Sequence, residues 1–152
     1  MGKKMKDYRI SSDKIHATLI VVNSKGVLLV GDSGSGKSDL ALRLIERGKA
    51  VLVADDVVCL EAVGGRLYGK ADESIKGMLE VRGLGIVRYS CLNNAEISLV
   101  VELKNTMSEI ERLPINDKET ILGLEIPKIA LYAKQSSAVD KLCVGLRLYT
   151  DV

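Results

Sequence analysis

The sequence contains no phenylalanine and no tryptophan, and its five tyrosines are the only aromatic residues. Because hydrophobic residues still make up 47% of the chain, a buried core has to be built from valine, leucine, isoleucine and alanine. So few aromatic rings argue against a protein that stacks the bases of single-stranded nucleic acid. The formal net charge of +2 is also far below the basic excess of a typical DNA-binding protein, so no nucleic-acid partner is expected.

Cysteine is scarce as well, with Cys59, Cys91 and Cys143 spread along the chain. Their odd number and the lack of a C-x-x-C pair predict small core residues of a reduced, cytoplasmic protein rather than a disulfide framework or a metal site. Residues 15–22 are too few and too β-branched to span a membrane, so no membrane partner is expected.

The chain of 152 residues suits a single domain with a substantial core. A small basic arm is predicted to be disordered over residues 1–13, and the domain is predicted to occupy residues 14–152. The basic residues of this arm are Lys3, Lys4, Lys6 and Arg9.

A glycine-rich stretch matches the phosphate-binding pattern G-x-x-x-x-G-K-[ST] at every fixed position. It consists of Gly31, Asp32, Ser33, Gly34, Ser35, Gly36, Lys37 and Ser38. The glycines allow the loop to curl so that backbone N–H groups point inward. Lys37 can reach the β- and γ-phosphates of a nucleotide, and the Ser38 hydroxyl can ligate Mg²⁺. A chance glycine-rich turn is the alternative, and the match of both flanks argues against it.

The flanks of this loop are an apolar run at 27–30, predicted to be a strand, and an amphipathic helix at 39–47. Residues 15–22 are predicted to be a strand that pairs with the loop's strand through a turn at 23–26. A further strand at 50–54 follows the helix, and the strand–helix–strand order predicts two parallel strands side by side.

The rest of the chain predicts a strand-rich middle and a C-terminal helix. Residues 57–62 and 66–68 are predicted to form a hairpin, 72–76 a loop or short helical turn, 77–81 and 85–89 short strands, 97–103 and 126–133 further strands, and 111–121 a loop with some helix. The C-terminal helix is predicted to begin with a capping box at Ser137. The whole is one α/β domain.

Acidic residues stand where the strand at 50–54 ends. Asp55 and Asp56 lie at the sheet edge that carries the glycine loop, where one carboxylate can hold a metal ion and another can accept a proton. The alternative is a solvated turn, in which Asp is common. His16, the one histidine, is predicted from the residues alone to be a half-buried strand histidine.

Glu80 and Arg82 lie two apart on one predicted strand face, beside Gly83 and Gly85. On composition alone this segment could equally be a tight turn with solvated charges.

Three strings together resemble a known family. The loop with its preceding valine (30–38), the strand L-V-A-D-D (52–56) and the string L-E-V-R-G-L-G-I (79–86) are similar to the catalytic domain of HPr kinase/phosphorylase, and the similarity covers roughly residues 14–131. The resemblance implies a P-loop kinase domain of the HPr kinase/PEP carboxykinase-like type, with a mixed sheet and a C-terminal helix.

The same resemblance implies the chemistry. The enzyme would phosphorylate a serine of the phosphocarrier protein HPr with ATP and Mg²⁺, and would remove that phosphate with inorganic phosphate to give pyrophosphate. Ser33, Gly36, Lys37 and Ser38 would bind the phosphates, and Ser38 with Glu80 would hold Mg²⁺. Asp55 would be the base and acid with Asp56 supporting it, His16 the active-site histidine, and Arg82 a contact to the partner or an ordering residue. The family also implies a homo-oligomer, a hexamer.

Two departures from the family pattern stand out. The chain resembles a short form without the N-terminal domain. In addition, the loop after Ala133 has Lys134 where the family often has arginine, and the point charge of a lysine does not replace the planar, forked guanidinium of an arginine. A small-molecule P-loop kinase and a nucleotide-sensing module with little turnover are the alternative functions.

Overall fold

The computed structural model describes residues 10–150. The strands are β1 Ile10–His16, β2 Thr18–Val22, β3 Lys25–Val30, β4 Val51–Ala54, β5 Val57–Val63, β6 Arg66–Ala71, β7 Met78–Val81, β8 Gly85–Arg88, β9 Ala95–Leu103, β10 Asp117–Ile121 and β11 Leu124–Leu131. The helices are α1 Lys37–Glu46 and α2 Ala138–Tyr149, with short 3₁₀ turns at Glu73–Ile75 and Met107–Glu109. None of the helices described between residues 10 and 150 is long and apolar enough to cross a membrane.

The large sheet is mixed, in the order β1-β5-β6-β9-β3-β2-β4, and β11 with β10 extends from the second half of β9. β3, β9 and β11 run parallel, so their carboxyl ends share one edge. The prediction that the strands before and after α1 lie side by side is wrong. β2 lies between β3 and β4 and is antiparallel to both, so β3 and β4 are parallel but separated.

Two apolar layers cover the central sheet, because successive side chains of a strand point to opposite faces. On one face, Val27 and Leu29 of β3 join a core formed with α1, α2 and the β7–β8 hairpin. On the other face, Leu28 joins a core closed by β5 and β6. β5 and β6 therefore fold back over the sheet as a second β-layer.

Other sequence predictions differ from the structure at element boundaries. The strand predicted at 15–22 is two strands, β1 and β2, separated at Ala17. β1 begins at Ile10, so residues 10–13 of the predicted arm belong to it, while the arm's basic residues lie outside the described part of the chain. Within the stretch predicted as loop, residues 117–121 form β10, which pairs with β11.

The capping box predicted at Ser137 is wrong. Ser137 does precede α2, but its side chain makes no capping hydrogen bond. A capping box forms instead at the Met107–Glu109 turn, where Thr106 and Glu109 exchange hydrogen bonds with each other's backbone.

Candidate active site

The glycine-rich loop leaves the end of β3 and enters α1 at the edge where β9 and β11 also end. Gly34 and Gly36 have φ angles of 84° and 100°, which favour glycine. Gly31 also has no room for a side chain, because a Cβ there would lie 2.8 Å from the carbonyl oxygen of Leu103. A Cβ at Gly36 would lie 2.9 Å from that of Ala133, which brings the loop after β11 against the glycine loop.

Lys37 is buried within this loop, where its ammonium is held by backbone carbonyls. Its Nζ donates to the carbonyl oxygens of Gly31 at 2.7 Å and Asp32 at 3.1 Å. The Asp32 carbonyl also accepts from the Ser35 N–H at 3.0 Å. Lys37 therefore lies across the concave side of the loop, close to where phosphates would bind.

Asp55 is 7% exposed and accepts hydrogen bonds from two hydroxyl groups. Ser38 Oγ donates to Oδ1 at 2.8 Å and lies 3.1 Å from Oδ2, and Thr18 Oγ1 donates to Oδ1 at 2.7 Å. The sequence predicted that Asp55 would lie at the glycine loop, and its carboxylate does contact Ser38 of that loop. The pair is a carboxylate and a hydroxyl, the oxygen ligands that Mg²⁺ prefers.

Asp56 occupies a turn that separates its side chain from that of Asp55. Its φ is 71°, and the Val57 N–H donates to the Asp55 carbonyl at 2.8 Å, which defines a γ-turn centred on Asp56. The Asp56 carbonyl accepts from the Ala17 N–H at 3.2 Å, and His16 Nδ1 lies 2.7 Å from the same oxygen and 3.2 Å from Oδ1. The His16 side chain is exposed, so the prediction that it is half-buried is wrong. It contacts the turn at Asp56 rather than the Asp55 carboxylate.

The L-E-V-R-G-L-G-I segment forms the β7–β8 hairpin, with Arg82, Gly83 and Leu84 at its tip. Leu79 and Val81 are buried against α1, so Glu80 and Arg82 are on the outward face and are exposed. The Tyr89 hydroxyl after β8 donates to Glu46 of α1 at 2.6 Å, and this hydrogen bond raises the pKa of Tyr89.

Glu80 and Ser38 were expected to share a metal ion, and the structure does not bring them into contact. Within residues 10–150, no hydrogen bond or ion pair joins Glu80 or Arg82 to the glycine loop, and no group of three or more His, Cys, Asp or Glu side chains forms a metal site. Gly83 and Gly85, both at positive φ, shape the hairpin tip.

Two contacts of the site were missed by sequence reasoning. Thr18 is the single polar residue of the apolar strand β2, a signal that could have drawn attention to it. Asn105 follows β9, and its Nδ2 donates to Asp32 Oδ2 at 3.0 Å. No local pattern marks Asn105, since its position depends on the parallel pairing of β9 with β3.

The fold and the site define a P-loop domain with a buried carboxylate beside the serine that follows the loop lysine. Residues 9–144 match the HPr Serine kinase C-terminal domain, and the chain belongs to this family.

Named relatives agree with this assignment. The chain is 37% identical over 153 residues to an HPr kinase/phosphorylase of Mycoplasmopsis pulmonis, with 93% of this chain and 49% of the relative covered. It is 36% identical over 135 residues to the enzyme of that name from Clostridium perfringens, covering 82% of this chain and 44% of the relative. The chain thus spans about half the length of these relatives.

A solved structure shares the fold. The structure of the Hpr(Ser) kinase/phosphatase from Coxiella burnetii matches with a TM-score of 0.78 and 29% identity, covering 90% of this chain and 97% of that one. The predicted fold class, a mixed-sheet HPr kinase domain with a C-terminal helix, is confirmed. The two alternative functions are not favoured by the family assignment.

Proposed function

We propose that this protein transfers the γ-phosphoryl group of ATP to a serine of HPr, and that it reverses the modification by phosphorolysis, giving pyrophosphate. The observation that carries the proposal is the contact between Ser38 of the loop and the buried carboxylate of Asp55. It supports the proposal because the Asp55 carboxylate would be a proton acceptor next to the residues that would hold the transferred phosphate. Catalysis would then depend mainly on positioning and charge stabilisation.

The loop would hold the phosphates of ATP, or inorganic phosphate and pyrophosphate in the reverse reaction. The amino end of α1 and the loop N–H groups attract anions. Lys37, which now donates to the Gly31 and Asp32 carbonyls, can extend to phosphate oxygens instead. Ser35 Oγ supports this view, because Ser35 is a buried residue of the loop itself and its hydroxyl has no hydrogen-bond partner within residues 10–150.

Ser38 would help to hold Mg²⁺ through its hydroxyl oxygen, with Glu80 as a second ligand if the β7–β8 hairpin approaches the loop. Bound Mg²⁺ would neutralise charge that develops on the phosphate oxygens. The Asp55 carboxylate, 2.8 Å from the Ser38 hydroxyl, would lie next to this ion.

Asp55 would accept the proton of the attacking serine and return it to the leaving serine oxygen in phosphorolysis. A carboxylate offers about four acceptor positions. The Thr18 and Ser38 hydroxyls use Oδ1 mainly, so Oδ2 retains capacity for the substrate hydroxyl. Asp56 and His16 would fix the turn that orients Asp55, and Arg82 would contact the partner protein.

The cellular location, the oligomeric state and the domain boundary are part of the same proposal. We infer a cytoplasmic enzyme, since Cys59, Cys91 and Cys143 are all unpaired thiols. The family implies a homo-oligomer, which we propose to be a hexamer, and the catalytic domain would include β1 from Ile10 rather than begin at residue 14.

The test is mass spectrometry of purified HPr after incubation with this protein, ATP and Mg²⁺, with phosphoserine as the expected product. Lys37→Ala should abolish the reaction and nucleotide binding. Asp55→Asn should keep nucleotide affinity but lower turnover in both directions by roughly 10²-fold or more, the scale of general acid–base catalysis.

Unmodified HPr in the presence of bound ATP would overturn the proposed activity. Near-normal turnover of Asp55→Asn in either direction would remove Asp55 from its role as the proton carrier. Arg66→Ala is a matched control, because Arg66 is an exposed residue of β6 that pairs with Glu96 of β9, outside the site.

A further inference from the structure

The loop that would bind phosphate carries a carboxylate of its own. Asp32 is the first residue after Gly31, is exposed, and belongs to a segment that would face a polyanion. A carboxylate free to turn over the loop would repel a polyphosphate, because like charges at close range raise each other's energy. The position of the Asp32 side chain is therefore important for phosphate affinity.

The end of β9 holds this carboxylate. Asn105 Nδ2 donates to Asp32 Oδ2 at 3.0 Å, and the carbonyl of Leu103, the last residue of β9, packs against Gly31. An asparagine amide suits this role, because it donates a hydrogen bond without adding a charge of either sign.

Asn105 is itself fixed by the turn that follows β9. Glu109 Oε1 accepts from the Asn105 and Thr106 N–H groups, both at 3.1 Å, and from Thr106 Oγ1 at 3.2 Å. Three donors on one carboxylate oxygen restrict the backbone of residues 105–109. The amide of Asn105 is thus presented to the loop from a defined position.

We propose that Asn105 is a positioning residue of the phosphate site: it ties the Asp32 carboxylate to the end of β9 and so keeps the loop's own negative charge from the bound phosphates. This inference deepens the proposed function and rests on the glycine loop being its phosphate site. It acts on affinity for phosphate and nucleotide, rather than on the proton transfer at Asp55.

The test compares single and double variants by calorimetric titration with Mg²⁺–ATP and with pyrophosphate. Asn105→Asp should weaken both affinities by about tenfold, a size typical of coupling between groups in contact, because two carboxylates then face each other. Asn105→Ala should weaken them less. The combination of Asn105→Asp with Asp32→Asn should recover most of the loss, because donor and acceptor are exchanged.

Asn93→Asp is the matched control for net charge. Asn93 is exposed and precedes β9, whereas Asn105 follows it, so the two positions lie at opposite ends of one strand. Asn93→Asp should leave both affinities near those of the wild type, and adding Asp32→Asn to it should help far less than adding it to Asn105→Asp. The deficit of Asn105→Asp should also shrink as ionic strength rises, which a purely structural defect would not do.

Either of two results would overturn the inference: equal effects of Asn105→Asp and Asn93→Asp, or no recovery when Asp32→Asn is added to Asn105→Asp. Phosphoserine formation on HPr is followed in parallel. A wild-type protein that binds ATP but never modifies HPr would overturn the proposed function while leaving the role of Asn105 open to this same comparison.

Discussion

At the scale of single residues, the backbone at Asp56 is the least ordinary feature of the site. A φ of 71° is disfavoured for residues with a side chain, although Asp and Asn adopt it more readily than most. The surrounding contacts hold it in place, since the Asp56 carbonyl accepts from Ala17 N–H and lies 2.7 Å from His16 Nδ1. His16 and Asp56 therefore belong to one turn whose effect is to aim Asp55 at the loop.

Substitutions at Asp56 should separate its backbone role from its carboxylate. Asp56→Gly should be more stable than Asp56→Ala by about 1 kcal/mol, because glycine adopts positive φ without the steric cost of a Cβ. The free energy of unfolding in urea measures this difference. Asp56→Asn should be as stable as the wild type, and its turnover compared with that of the wild type reports on the carboxylate alone. Equal stability of the Gly and Ala variants would show that the turn carries no such strain.

At the scale of elements, one lysine joins three strands. Lys128 of β11 lies 2.9 Å from Glu119 of β10, 3.6 Å from Glu102 of β9 and 3.8 Å from Asp117 of β10. The hydrogen bond with Glu119, followed by the charges of all three carboxylates, raises the pKa of Lys128 above the usual 10.5. Among the described strands β10 pairs only with β11, so this cation adds a link between the outermost hairpin and β9.

The raised pKa predicts how stability depends on alkaline pH. The folded state binds the Lys128 proton more tightly than the unfolded chain, so its contribution is complete below 10.5 and is lost as pH rises through the higher folded pKa. Lys128→Arg should keep this contribution in that range, because arginine stays charged. Unfolding in urea from about pH 9 to about pH 11.5 checks the difference. Parallel decline of the wild type and Lys128→Arg would contradict it.

At the scale of the whole molecule, two layers pack on opposite faces of the central sheet through glycines. Gly69 brings β6 onto β2, and a Cβ there would lie 2.6 Å from Leu19 Cδ2 and 3.0 Å from Val58 Cγ1. Gly145 brings α2 onto β11, and a Cβ added there would contact only Ile129, lying 2.7 Å from its Cδ1. The packing of β6 at Gly69 is therefore tighter than the packing of α2 at Gly145.

Alanine at these two glycines should have different effects. Gly69→Ala should lower the free energy of unfolding by about 1–3 kcal/mol, since overpacking a buried site forces several fixed side chains to move. Gly145→Ala should cost less or nothing, because the end of Ile129 can shift and alanine favours a helix over glycine by about 1 kcal/mol. Thermal and urea unfolding of both variants give the comparison. A Gly145→Ala variant less stable than Gly69→Ala would reverse this view of the packing.

The sequence by itself determined the parts of this protein that depend on near neighbours. The glycine loop, α1, the β2–β3 hairpin and the β7–β8 hairpin follow from short patterns of glycine, apolar spacing and turn residues. The position of Asp55 at the loop edge followed from strand direction alone. These features involve few residues in sequence, so local preferences are sufficient to specify them.

Only the tertiary structure decided what lies between and around those parts. β2 is inserted between β3 and β4, β5 and β6 fold over the sheet, and Thr18 and Asn105 reach Asp55 and Asp32 across separations of 37 and 73 residues. Such pairings are selected by the burial of whole faces and by the pairing of every backbone group at once. A local sequence pattern specifies neither the burial of a whole face nor the full set of backbone pairings, so these contacts became visible only when the complete sheet was assembled.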